Sequence, residues 1–68
     1  MMAVYQVYLM GHSHPLAIDF PFRDLGELMT EAARAKFLAG HMPMADDHGV
    51  CRGVMVATGR IQCVIEAD

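Results

Sequence analysis

The chain has no tryptophan, three prolines, two cysteines and few aromatic residues, at 7% of its 68 positions. Two cysteines permit at most one intramolecular disulfide, so a disulfide-dense secreted scaffold is excluded. No apolar run reaches membrane-spanning length. The first residues, MMAVYQVYLMG, lack a basic segment and carry Gln6 in their middle, which does not fit a secretory leader. Together these absences lead us to expect a cytoplasmic protein with reduced thiols. Positive charge is also scarce: five Lys and Arg stand against eight Asp and Glu, for a net charge of −3. A generic nucleic-acid binder would carry a basic footprint, so nucleic acid is not the expected partner; exposed Tyr5 and Tyr8 would be the residues to stack bases.

What is present is apolar. Hydrophobic residues make up 54% of the chain, too many for a disordered segment. A chain this short buries only about 60% of its unfolded surface, so one small core is available and a partner would add to it.

The strongest local pattern runs from Asp24 to Gly40. Asp24 is placed to cap a helix and Glu27 follows at the spacing of a capping box. Ala, Leu, Met, Glu, Arg and Lys fill the interior, and Gly40 has the character of a C-cap. Leu25, Leu28, Met29, Ala32, Ala35 and Ala39 recur at helical spacing. Glu27, Glu31 and Arg34 mark the wet face, with Glu31 and Arg34 spaced to pair. Phe37 and Leu38 break the pattern and need cover, from a loop or from another chain.

Two strand-rich regions flank this segment. Val4–Met10 and Leu16–Phe22 form a hairpin around the turn GHSHP at 11–15, with Leu16, Ile18, Phe20 and Phe22 facing the core. Residues 41–49 read as a loop. Val50–Ala57 and Arg60–Glu66 are expected to form a second hairpin around Thr58–Gly59, Gly59 supplying a positive φ. In that register Val54, Val56, Ile61, Cys63 and Ile65 share the core face. Cys51, Met55, Gln62, Val64 and Glu66 then share the other.

The fold class that follows is α+β: a small ββαββ domain, with a single helix packed on one face of an antiparallel sheet. One helix leaves the second sheet face uncovered, holding Tyr5 and Val7 or their alternates, Met55 and Val64. Apolar surface of that kind points to association, most simply as a two-fold homodimer. Phe37, Leu38, Met55 and Val64 are the candidate interface residues. The function expected is a non-enzymatic protein-interaction module, an oligomeric adaptor or regulator.

A second class rests on histidine. His12 and His14 lie two apart in the first turn, and His48 precedes Cys51 by three residues, with Asp46 and Asp47 adjacent. Imidazole and thiolate together suit zinc or another transition metal. Enzymatic chemistry has less to stand on. His48 and Cys51 lack a third orienting group, and no phosphate-binding glycine motif or calcium loop is present.

Overall fold

A computed structural model describes residues 3–67; Met1, Met2 and Asp68 lie outside the described residues. The chain runs β1 (Ala3–Leu9), β2 (Leu16–Phe20), α1 (Leu25–Arg34), β3 (Phe37–His41) and β4 (Gly53–Ala57). A one-turn 3-10 helix, Thr58–Arg60, then leads into β5 (Ile61–Glu66). The protein is an α+β domain with one antiparallel sheet of five strands in the order β4-β3-β2-β1-β5.

The first hairpin follows its local signals. Tyr5 stands opposite Ile18 and Val7 opposite Leu16. Gly11 takes φ 86° in the turn, a region that favours glycine. Because antiparallel partners share a face, Tyr5, Val7, Ile18 and Phe20 all turn inward and are completely buried. The Tyr5 ring lies 6.0 Å from that of Phe20, and Phe20 5.5 Å from Phe22. The Tyr5 hydroxyl donates to the Phe22 carbonyl at 3.1 Å, so the one polar atom this ring takes inside is satisfied. Tyr5 and Val7 are therefore core residues. They do not belong to an open sheet face, and Tyr5 cannot stack a base.

The helix begins where its cap predicts. The Asp24 carboxylate accepts from the Glu27 N–H at 2.9 Å. The returning arm of the capping box goes one residue further back, from the Arg23 N–H to Glu27 Oε1 at 3.4 Å. Arg34 pairs with Glu31 on the solvent side. The helix is shorter than the expected Asp24–Gly40. It stops at Arg34, and Ala35 is already extended at φ −107°, ψ 146°. Leu28 enters the core with Ala32 and Ala35 against it, whereas Met29 stays exposed.

The residues beyond form a strand that the helical reading had absorbed. Along β3 burial alternates: Leu38 and Gly40 face inward, Phe37, Ala39 and His41 outward. Gly40 is not a helix C-cap. It sits where β3 crosses β2, with no room for a side chain.

The second hairpin does not form. β4 pairs with β3, Phe37 opposite Ala57 and Gly40 opposite Val54. β5 pairs with β1 at the far edge, Val7 opposite Val64. Gly59 is not in the positive-φ region. Five strands about 4.8 Å apart would hold flat outer strands about 19 Å from each other. A three-residue 3-10 turn rises only about 6 Å. The sheet therefore curls, and its interior holds the buried cluster of Tyr5, Val7, Ile18, Phe20, Phe22, Leu28, Leu38 and Val56. Thr58 fixes this corner: its N–H donates to the Lys36 carbonyl at 2.9 Å and its hydroxyl to the Ala35 carbonyl at 2.8 Å.

Candidate interaction surface

Strand parity decides which apolar residues meet solvent. On β3 and β4 the outward residues are Phe37, Ala39 and His41, then Gly53, Met55 and Ala57. Phe37 lies opposite Ala57 and Ala39 opposite Met55, so Phe37 and Met55 are diagonal neighbours on one face. They are 54% and 64% exposed, a pair of adjacent apolar side chains left open on the outside of the sheet.

Two of the four expected interface residues are thus on the surface and two are not. Leu38 is 2% exposed and belongs to the core, because it alternates with Phe37 instead of following it round a helix. Val64 is half-buried and packs against the core opposite Val7. The hairpin register had placed it outside. The same reversal puts Cys63 and Ile65 outside when they were expected within.

The patch continues into a free strand edge. Met42 donates to the Arg52 carbonyl and Thr58 to the Lys36 carbonyl, which sets the phase of the β3–β4 ladder. With that phase Val54 and Val56 spend their backbone groups on β3. The N–H and C=O groups of Gly53, Met55 and Ala57 point away from it, along the outer edge of the sheet. Among the described residues no hydrogen bond reaches those of Gly53 and Met55, whereas the Ala57 carbonyl takes the first bond of the 3-10 turn Thr58–Arg60. This edge was hidden in the sequence, because β4 was assigned β5 as a partner.

His12, His14, His48 and Cys51 are all exposed. The fold does not gather them: among the described residues no three His, Cys, Asp or Glu side chains converge as metal ligands. Asp46, beside His48, is already engaged by its own loop. Its Oδ1 accepts from the N–H groups of His48 and Val50 at 2.9 and 3.0 Å, and its Oδ2 from Arg52 Nε at 3.0 Å. The Val50 and His48 N–H groups, and to a lesser degree Arg52, hold its carboxyl below its ordinary pKa against an opposing cost of desolvation.

The described residues enclose no pocket, and no described helix is long and apolar enough to cross a membrane. No protein-family model, curated protein or solved structure matches the chain.

Proposed function

We propose that the protein is a small non-enzymatic interaction module whose docking surface is the outward face and free edge of β3–β4. The observation that supports this reading is the exposure of Phe37 and Met55 side by side on the edge of a sheet. Removing two such side chains from water would contribute a few kcal/mol, at about 25 cal/mol per Å² of apolar surface. The unpaired backbone of Gly53 and Met55 adds directional bonding to that apolar contact, the combination used when one strand is added to another. We place the protein in the cytoplasm, where the free thiols of Cys51 and Cys63 would remain reduced.

Site-specific photo-crosslinking in cells tests the surface. A crosslinker at position 55 is expected to give protein adducts of defined mass. The same group at position 29, an equally exposed methionine on α1, is expected to give none. Absence of adducts from position 55 would overturn the reading.

A further inference from the structure

The strands of this sheet hold almost no charge. Only Asp19 on β2 and Glu66 at the end of β5 are formally charged. All five Lys and Arg lie outside the strands, and Arg23, Arg34 and Arg52 are each paired there with an acidic neighbour. Glu66 stands opposite Tyr5 and so shares the inner side of its edge strand. Asp19 lies between Ile18 and Phe20, both completely buried, and therefore points outward. Among the described residues it is the one formal charge on the outer face of the strands, and it sits on β2, the middle strand of five.

Nothing in the described chain answers that charge. Asp19 Oδ1 is buried without a hydrogen-bond partner, and no ion pair reaches the carboxylate. His41 stands directly across on β3, and no hydrogen bond joins the two side chains. On the same face, Phe37 and Met55 lie open to solvent. From Met55, Ala39 is one strand away, His41 two residues further along, and Asp19 one strand beyond. That path places Asp19 about 12 Å from Met55, within reach of four extended residues or about two helical turns.

This combination selects what can cover the face. A partner laid over Phe37 and Met55 also takes water from Asp19, and a carboxylate desolvated without a countercharge is costly. An occupant that brings a cation replaces that cost with a charge-assisted hydrogen bond. A second copy presenting the same face brings no Lys or Arg and would bury two unanswered carboxylates. Nucleic acid or an acidic lipid surface would add like charge. Resting on the docking surface above, we propose that its occupant is a basic-apolar segment of another protein. Its apolar side chains cover Phe37 and Met55, and a Lys or Arg about four extended residues or two helical turns away bonds Asp19.

The test is a selection of displayed random dodecapeptides on the immobilised full-length chain. Peptides whose binding is lost in Met55→Glu are those that occupy the surface. We expect them to carry Lys or Arg and to bind Asp19→Asn about ten- to hundredfold more weakly, the loss typical of a hydrogen bond to a charged group. Asp47→Asn, which removes an exposed carboxylate from the loop before β4, should bind them as wild type does. Asp19→Lys should instead select peptides bearing Asp or Glu. Circular dichroism matching wild type would confirm that each variant is folded. Surface peptides without a basic residue overturn the proposal, as does equal binding to Asp19→Asn or a selection that yields no peptide sensitive to Met55→Glu. If photo-crosslinking from position 55 still gives adducts of defined mass in those cases, the docking surface stands and only the chemistry of its occupant is wrong. If it gives none, both fail.

Discussion

The backbone of Gly40 passes so close to Asp19 that a Cβ built on Gly40 would stand 2.6 Å from the Asp19 carbonyl oxygen. The same Cβ would lie 2.8 Å from Ile18 Cγ2 and 2.8 Å from Phe20 Cδ1. Two of these three neighbours belong to fully buried side chains, and the third is backbone in the sheet. None can yield without moving β2 against β3. Overpacking at such a site costs about 1–3 kcal/mol, and contact with a backbone oxygen belongs at the upper end. Gly40→Ala should therefore lower the urea midpoint sharply or prevent folding. A midpoint equal to wild type would show that β3 and β2 do not approach this closely.

Thr58 joins three parts of the molecule through one residue. Its hydroxyl is shared between the Ala35 and Lys36 carbonyls at 2.8 and 3.1 Å, where the chain leaves α1 for β3. Its N–H continues the β3–β4 ladder at the point where β4 turns toward β5. Thr58→Val keeps the shape and the backbone bond but removes the hydroxyl. We expect a loss of about 1 kcal/mol, typical of an intramolecular hydrogen bond. In a domain of this size that lowers the melting temperature by about 4–8 °C. Differential scanning calorimetry would check this; an unchanged Tm would mean that the corner is held by its backbone alone.

The legible and illegible parts of the chain differ in the range of the interactions that decide them. The Asp24 cap and the β1–β2 hairpin rest on residues near one another in sequence, and both could be read. β3 could not. Phe37–His41 contains no β-branched residue and follows a run of helix formers, so local preference extended the helix. What ended it was burial of Leu38 and the close passage of Gly40, both set by β2, which lies some twenty residues upstream. Thr58–Gly59 between two apolar runs has the composition of a hairpin turn. Here a curled sheet sends the following strand to β1 instead, and local sequence carries no record of that choice. The candidate surface divides in the same way. Phe37 and Met55 were visible as apolar residues without cover, but the placement of Leu38 and Val64 depended on strand parity, and parity depended on the partners.

Asp46 makes the 42–52 loop sensitive to acid. Its carboxyl is held below its ordinary pKa, first by the Val50 N–H and then by the His48 N–H. A group whose pKa is lower in the folded state stabilises that state above its unfolded pKa. The contribution is lost as pH falls through the folded value. The ordered loop should thus persist at neutral pH and loosen once the solution is more acid than the usual carboxylate range. Amide exchange at His48 and Val50 would report it, rising at low pH ahead of amides in β1 and β2. In Asp46→Asn these two amides should exchange faster already at neutral pH, with the acid-dependent step removed. Equal protection in the two proteins would show that the carboxylate does not organise the loop.

The exposed histidines and Cys51 give an expectation of opposite sign. His12 and His14 sit in the β1–β2 turn and His48 and Cys51 in the loop before β4, and among the described residues no third ligand converges on either group. Asp46 is turned into its own loop, accepting from the His48 and Val50 N–H groups and from Arg52. A structural zinc site takes four ligands in tetrahedral geometry and contributes directly to folding, so chelation unfolds proteins that depend on one. Here EDTA should leave the melting temperature within about 1 °C of its starting value, well inside the shift that a 1 kcal/mol change would produce. The double variant His12→Ala, His14→Ala should behave as wild type does. A fall of several degrees on chelation, reversed by zinc and absent from the double variant, would show that these turns close around a metal and that the loop before β4 rearranges to meet it.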